Sequence, residues 1–399
     1  MKPMKQWTTR LIHPDARPQG GFESLVTPVF RGSTTVFPAA AEVTDDWRHE
    51  AGYSYGLYGT PTTRELGARI AELEGGEHTF VVPGGQAAIS LVALTFTSAG
   101  DHVLIPDSAY GPTRQLADDV LRRFGVEAEY YPPLAGSGIE SLMRPNTRLV
   151  WCESPGSVTL EVQDVPAIAE VAHRYGAVVA LDNTYSAGVY FDAFAHGVDV
   201  TLQALTKYVG GHSDLLLGSV TVRTAEAYER LGVAHDRLGM AVSPDDCYLA
   251  LRGMQTLGVR LAVLERSTLH VARWLAAHSE IATVLHPALP SCPGHETWRR
   301  DFTGSTSVFS IVFAEGTPRE SIAAFVDALE LFRLGFSWGG VHSLVLPWFH
   351  LKRTHPTPYG DRLVRLNVGL EDPDDLVADL ARALHRAGLG DPPAAADAS

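Results

Sequence analysis

Before Thr63 the chain shows no sustained apolar period; after it the period is regular. Leu66, Ile70 and Leu73 recur at helical spacing and stop at Gly75-Gly76. Beyond that stop, short apolar runs alternate with amphipathic stretches. The runs at 79–82, 102–105, 148–152, 177–181 and 199–205 predict buried strands, and the stretches at 86–98, 111–124 and 164–175 predict helices between them. Strands that are apolar on both faces, with helices between, predict an α/β fold whose mostly parallel sheet is covered by helices. After Pro244 the rhythm changes. A long helical stretch near 245–278 leads to strands near 306–313 and 363–368, with helices near 318–330 and 373–387.

A chain of 399 residues exceeds one simple core, which agrees with that change of rhythm. The expected parts are an arm at 1–55, a large domain at 56–244, a smaller C-terminal α/β domain at 245–387 and a disordered tail at 388–399. The arm is rich in Pro, Gly and Thr, and such an arm is expected to lie over another surface, a partner subunit being the natural one.

Composition narrows the function. Hydrophobic residues make up 45% and charged residues 20%, enough for a sizeable core. Lys plus Arg number 32 against 46 Asp plus Glu, a formal charge of -14, which disfavours a nucleic-acid partner. No apolar run of about 18 residues is present, so no membrane span is expected. Cys152, Cys247 and Cys292 lie far apart and form no CxxC pair. That sparse, odd count fits a reducing compartment, and a cytoplasmic protein is expected. The sixteen histidines include no HExxH, and His350 and His355 are five positions apart, so no metal site is expected.

Three segments carry candidate chemistry. Lys207 follows the strand-like run from Val198 to Leu205, at the edge where parallel sheets place ligands. Lysine forms Schiff bases with aldehydes when its amine can lose a proton; a solvated lysine after a strand is the plainer reading. Asp182 ends the apolar run Val178-Val-Ala-Leu181. An aspartate there can hold the proton of a pyridine nitrogen, or can simply cap a helix. Pro83-Gly84-Gly85-Gln86 opens a helix whose bare N–H groups suit phosphate, although a tight strand-to-helix turn needs glycine anyway. Thr206 stands beside the lysine and could add a hydroxyl to the same phosphate.

Phosphate loop, aspartate and lysine occur in the order of one cofactor, and from about Thr9 to Leu384 the chain resembles a known family. Its most specific pieces are Glu153-Ser-Pro-Gly-Ser157, Asp182-Asn-Thr184, Thr206-Lys-Tyr208 with Gly211-His-Ser-Asp214, Thr256-Leu-Gly-Val-Arg260, Ser337-Trp-Gly-Gly340 and Arg365-Leu-Asn-Val-Gly-Leu-Glu371. They resemble the Cys/Met-metabolism pyridoxal-phosphate enzymes of the aspartate-aminotransferase fold (fold type I), with cystathionine β-lyases as the closest likeness. The resemblance implies pyridoxal 5'-phosphate bound as a Schiff base to Lys207, which would then shuttle the Cα proton. It implies Asp182 on the pyridine nitrogen and Tyr110 stacked on the ring. Gly85 and Gln86 would meet the phosphate, with Thr206 and a neighbouring subunit's Tyr55. Arg365 would grip the substrate α-carboxylate, a bidentate task suited to guanidinium, beside Ser337 and Trp338.

The implied activity is α,β-elimination of cysteine thioethers to a thiol, pyruvate and ammonia, in a homo-oligomer, a dimer of dimers. A γ-acting relative and a non-catalytic binding protein on the same fold are the alternatives. Ser337-Trp-Gly-Gly340 is more typical of β-acting members. One departure stands out: Leu57 occupies the place where the family usually carries an arginine, in Tyr55-Gly-Leu-Tyr-Gly-Thr-Pro-Thr62. Ala204 likewise stands where a phosphate-touching serine is usual.

Overall fold

The computed structural model describes residues 6–12, 24–48 and 52–390. Two sheets organise it. The larger has seven strands in the order β1-β7-β6-β5-β4-β2-β3, namely β1 (His78–Val82), β2 (His102–Pro106), β3 (Glu127–Tyr131), β4 (Thr147–Glu153), β5 (Val178–Asp182), β6 (Val200–Gln203) and β7 (Gly218–Val222). The smaller has five, in the order β10-β11-β12-β9-β8: β8 (Ile281–Leu285), β9 (Val308–Phe313), β10 (Arg333–Leu334), β11 (Leu344–Pro347) and β12 (Leu363–Asn367). The helices are α1 (Trp7–Ile12), α2 (Pro61–Glu74), α3 (Gly85–Phe96), α4 (Gly111–Gln115), α5 (Val165–Arg174), α6 (Ala225–Leu238), α7 (Pro244–Gln255), α8 (Leu257–Ala276), α9 (His295–Asp301), α10 (Arg319–Ala328) and α11 (Pro373–Arg386).

Local chemistry sets the element ends. In α2 the Thr60 hydroxyl accepts from Thr63 N–H, Pro61 takes the first helical position, and Gly75 ends the helix at φ 74°. Every residue of β2 and β7 is buried. The core lies on both faces of the large sheet. Leu91, Val92, Phe96 and Trp151 pack on one side, and Ile168, Val171, Val179 and Leu181 on the other.

Several expectations need correction. The large sheet is mostly parallel, as expected; β7 is the exception and runs antiparallel to both β1 and β6. Neither β7 nor β3 was expected. β3 reads Glu-Ala-Glu-Tyr-Tyr and lies at the sheet edge, where polar side chains reach water. The strand expected at 199–205 ends at Gln203, so Lys207 stands on a turn beyond it. The helix expected at 111–124 keeps α geometry only to Gln115, then passes through a wide turn and a tight one to Phe124. The long stretch at 245–278 is two helices that meet at Thr256. Among the described residues of the tail, Leu389 is buried and its N–H donates to Leu384 O at 2.9 Å; the rest of that tail lies outside the described residues. No helix among the described residues is long and apolar enough to cross a membrane.

Candidate active site

The carboxyl ends of the parallel strands β4, β5 and β6 lie along one edge of the sheet. Asp182 closes β5 and pairs in register with Glu153, which closes β4. The Thr184 N–H donates to Asp182 Oδ1 at 3.0 Å, and the Thr184 hydroxyl accepts from Ala204 N–H at 2.9 Å. The chain after β6 is thereby tied to the chain after β5. On that tied turn sits Lys207, whose N–H donates to Ala204 O at 3.0 Å.

The Lys207 amine donates to Ser337 Oγ at 2.7 Å and lies 5.4 Å from the centre of the Trp338 ring. Ser337 comes from the loop between β10 and β11 and has φ 82°, a left-handed backbone that costs a non-glycine residue about 1–3 kcal/mol. Gly339 allows this approach: a Cβ there would lie 3.1 Å from Tyr208 N. Arg365 rises from β12, and its Nη2 donates to Ser337 O at 3.2 Å. Its guanidinium flanks the Trp348 ring, 5.8 Å from the centre. Among the described residues no carboxylate pairs with Arg365 or Lys207.

Electrostatics follow from that isolation. Burial and the nearby Arg365 push the Lys207 amine down to about 8, while Asp182 pulls the other way. Burial pushes Arg365 down to about 10. The Asp182 carboxyl is raised by burial and pulled back by its Thr184 hydrogen bonds and by Lys207. Glu153 is raised further, by burial and then by Asp182. Tyr110 begins α4, with 44% of its surface open. Burial raises its phenol, with Glu153 and Asp182 adding to the rise and Arg365 opposing it.

The glycine turn lies between β1 and α3. Gly84 has φ 153°, and a Cβ on Gly85 would sit 2.8 Å from Ala204 Cβ. A Cβ on Gly218 would sit 2.3 Å from Gly84 O. Three backbone segments meet here with no room for side chains. No side chain caps α3, so its first N–H groups are left for a ligand. The Gln86 amide donates to Pro112 O at 3.4 Å, which links this helix to the Tyr110 turn. Thr206 behaves otherwise: its hydroxyl donates to Leu217 O at 3.0 Å and accepts from Leu217 N–H at 3.1 Å.

Tyr55 stays apart from this cluster. It is half-exposed and its ring lies 6.3 Å from that of Tyr58. Leu57 and Tyr58 line a cavity of about 390 Å³ with Trp47, Arg64, Phe80 and Tyr228, none of them from the Lys207 cluster. Two other cations are occupied. Arg114 pairs with buried Asp107 and lies 3.7 Å above the centre of the Tyr130 ring, and Arg353 is held by Thr159 and Glu161. Glu153, in the motif Glu153-Ser-Pro-Gly-Ser157, is brought to the same cluster without having been expected there. The signal was present, since an acid closing the run Leu149-Val-Trp-Cys152 repeats the pattern that singled out Asp182.

The donor set fits a phosphorylated pyridine aldehyde. It offers an amine pushed down to about 8, a half-buried acid with no cation bonded to it among the described residues, and a side-chain-free cradle at a helix start. A family model described as Cys/Met metabolism PLP-dependent enzyme matches residues 8–385. The cystathionine beta-lyase of Bordetella avium is 41% identical over 93% of this chain and 94% of its own. An L-alanine/L-glutamate racemase of Wolbachia pipientis is 37% identical over 91% of this chain and 93% of its own. The crystal structure of metB from Corynebacterium glutamicum superposes with a TM-score of 0.88 at 30% identity, covering 96% of this chain and 98% of that one. Site chemistry, fold and sequence agree: the chain belongs to the Cys/Met metabolism PLP-dependent enzymes, on the aspartate-aminotransferase-like fold.

Proposed function

We propose that the protein is a carbon–sulfur β-lyase: it converts a cysteine thioether and water into a thiol, pyruvate and ammonium. The observation that carries this reading is the Lys207 amine held 2.7 Å from Ser337 Oγ, near Asp182 and an Arg365 that pairs with no carboxylate among the described residues; burial and Arg365 push that amine down to about 8. When bound, pyridoxal phosphate supplies an electron sink for the charge left at Cα. Every other task falls to side chains.

Arg365 binds the α-carboxylate, with Trp348 and the Ser337 carbonyl fixing its plane. That grip orients the Cα–H toward Lys207, which takes the proton as general base and can later return it. Positioned proton transfer of this kind contributes about 10²–10⁴-fold. Ser337 holds the amine between those steps. Asp182 keeps the proton on the pyridine nitrogen, and Tyr110 covers the ring face. Glycine backbone at 84–86 holds the phosphate, and the Thr206 hydroxyl supports that turn from behind through Leu217. Tyr55 serves the site of a second subunit, so the working unit is a homodimer at least and a dimer of dimers by the family likeness.

The test is a product assay on cystathionine and S-methylcysteine. Pyruvate with free thiol is expected. Accumulation of 2-oxobutyrate from cystathionine would put the cleavage at Cγ. Loss of optical activity from alanine or glutamate, without oxo acid, would make the protein a racemase.

A further inference from the structure

Glu153 takes no part in the chemistry above, yet it is buried at the centre of the site. Only 7% of its surface is accessible, and no cation among the described residues is bonded to it. Its Oε2 accepts the Tyr110 N–H at 2.8 Å. Its own N–H donates to the Gln163 side chain at 2.8 Å, which fixes the strand end that carries it. Across the ladder its register partner is Asp182, so both carboxyls leave the sheet on the same side.

The turn that carries Tyr110 is anchored on either side of that residue: the Asp107 carboxylate accepts from the Thr354 and His355 N–H groups at 2.8 and 2.6 Å, and Pro112 O accepts from the Gln86 amide. Ala109 N–H returns to Pro106 O at 2.9 Å, and Ser108 O accepts from Ser157 N–H at 2.8 Å. Both bonds hold the chain before Tyr110. Gly156 packs against the same turn so closely that a Cβ there would lie 2.5 Å from Ser108 Oγ. At Tyr110 itself, where α4 starts, Glu153 supplies the side-chain acceptor.

We propose that Glu153 is a positioning residue, whose carboxyl accepts the Tyr110 N–H and thereby sets the Tyr110 ring against the cofactor. This rests on the reading that Tyr110 covers the ring. Two anions on neighbouring strand ends, with no cation bonded to either acid, would repel strongly in a buried site. Burial and the neighbouring Asp182 raise the Glu153 carboxyl, which favours its neutral form. A neutral acid still accepts a hydrogen bond through its carbonyl oxygen. Glutamine presents the same oxygen in the same place.

The test compares the wild-type holoenzyme with Glu153→Gln and Glu153→Ala. Three quantities are measured: pyridoxal-phosphate dissociation, visible circular dichroism per bound cofactor, and Tm. Glu153→Ala should weaken cofactor retention by about three- to ten-fold and diminish the dichroic band, as loss of one buried hydrogen bond implies. Glu153→Gln should restore retention to within about two-fold of wild type, together with the band. If Glu153→Ala fails to fold, Glu153→Asp replaces it, because a shorter side chain withdraws the acceptor and should behave alike. Equal impairment in Gln and Ala, or a drop in Tm with the dichroism unchanged, would overturn the proposal. None of the three readouts needs substrate. A wild-type enzyme that cleaves no thioether would sink the β-lyase reading while leaving this test intact.

Discussion

Lys207 illustrates how one side chain acquires its reactivity from neighbours that never touch it. An amine attacks an aldehyde only when uncharged, and burial beside Arg365 brings its pKa down to about 8. Because the shift is downward, the uncharged form is already abundant just above neutrality, where an exposed lysine is almost wholly protonated. Covalent loading of apoprotein should therefore speed up about ten-fold per pH unit below 8 and level off above it. Stopped-flow absorbance of apoprotein mixed with pyridoxal phosphate reads this directly, and a rate that keeps climbing to pH 10 would contradict it. Lys207→Ala should abolish the covalent adduct and nearly all turnover, and borohydride trapping should label the wild-type peptide that contains Tyr208. Leu57 is the second residue of interest, because an apolar side chain contributes nothing to a distal carboxylate. Arg114 and Arg353 could have replaced the missing cation, but each is already held by an acid, Asp107 and Glu161. Leu57→Arg should raise kcat/KM for cystathionine by about 10- to 150-fold, the equivalent of a charge-assisted bond of 1.5–3 kcal/mol. S-methylcysteine, with no distal charge, should be nearly unaffected. An unchanged ratio between the two substrates would end the idea that Leu57 tunes substrate choice.

At the scale of elements, the site depends on backbones that approach closely. Gly84, Gly85, Ala204 and Gly218 bring the β1–α3 turn, the chain after β6 and the start of β7 together. A methyl group on Gly218 would press on the Gly84 carbonyl at 2.3 Å, and backbone can only yield by moving. Gly218→Ala should therefore cost about 1–3 kcal/mol, as overpacking typically does, and it should loosen the phosphate cradle with it. Gly138→Ala is the control, since nothing lies within 4 Å of a Cβ there. Thermal melts of both apoproteins, with cofactor titration, separate the two; equal stability would refute the close-packing argument. The same contacts explain what could be read in advance and what could not. Asp182 and Lys207 were legible because each follows an apolar run, and such runs mark strands of a buried sheet. β7 was not, because Gly-Ser-Val-Thr-Val lacks apolar density, and its burial comes from lying between β1 and β6. The role of Ser337 at Lys207 depends on a left-handed backbone, which nothing local to Phe336-Ser-Trp338 announces. Glu153 carries the same mark as Asp182, an acid closing an apolar run, and the register that sets the two side by side gives that mark its meaning.

For the whole molecule, the question is which chain completes which site. Within one chain, Leu57 lines the cavity near Phe80 and Tyr228 and Tyr55 lies two residues before it, while Lys207, Asp182, Tyr110 and Arg365 gather elsewhere. A half-exposed tyrosine on an arm, together with an α3 start that no side chain caps, is consistent with the proposal that this arm serves a neighbouring subunit. A two-fold dimer would deliver two arms to two sites reciprocally, because its interface uses the same patch on both subunits. Hybrid subunits test this without any structure. Tyr55→Ala should cripple the site of the neighbour, and Lys207→Ala the site of its own chain, so either homodimer alone is inactive or weak. In a dimer of one Tyr55→Ala and one Lys207→Ala subunit, both defects fall in the same site and the other site is intact. After unfolding and refolding an equal mixture, half the dimers are hybrids with one good site in two. Roughly a quarter of wild-type activity should return by that counting for a two-fold dimer. Were each site built from a single chain, every site in the mixture would carry one defect and nothing would return. Activity of the refolded mixture, set against refolded wild type, decides between a shared site and a private one.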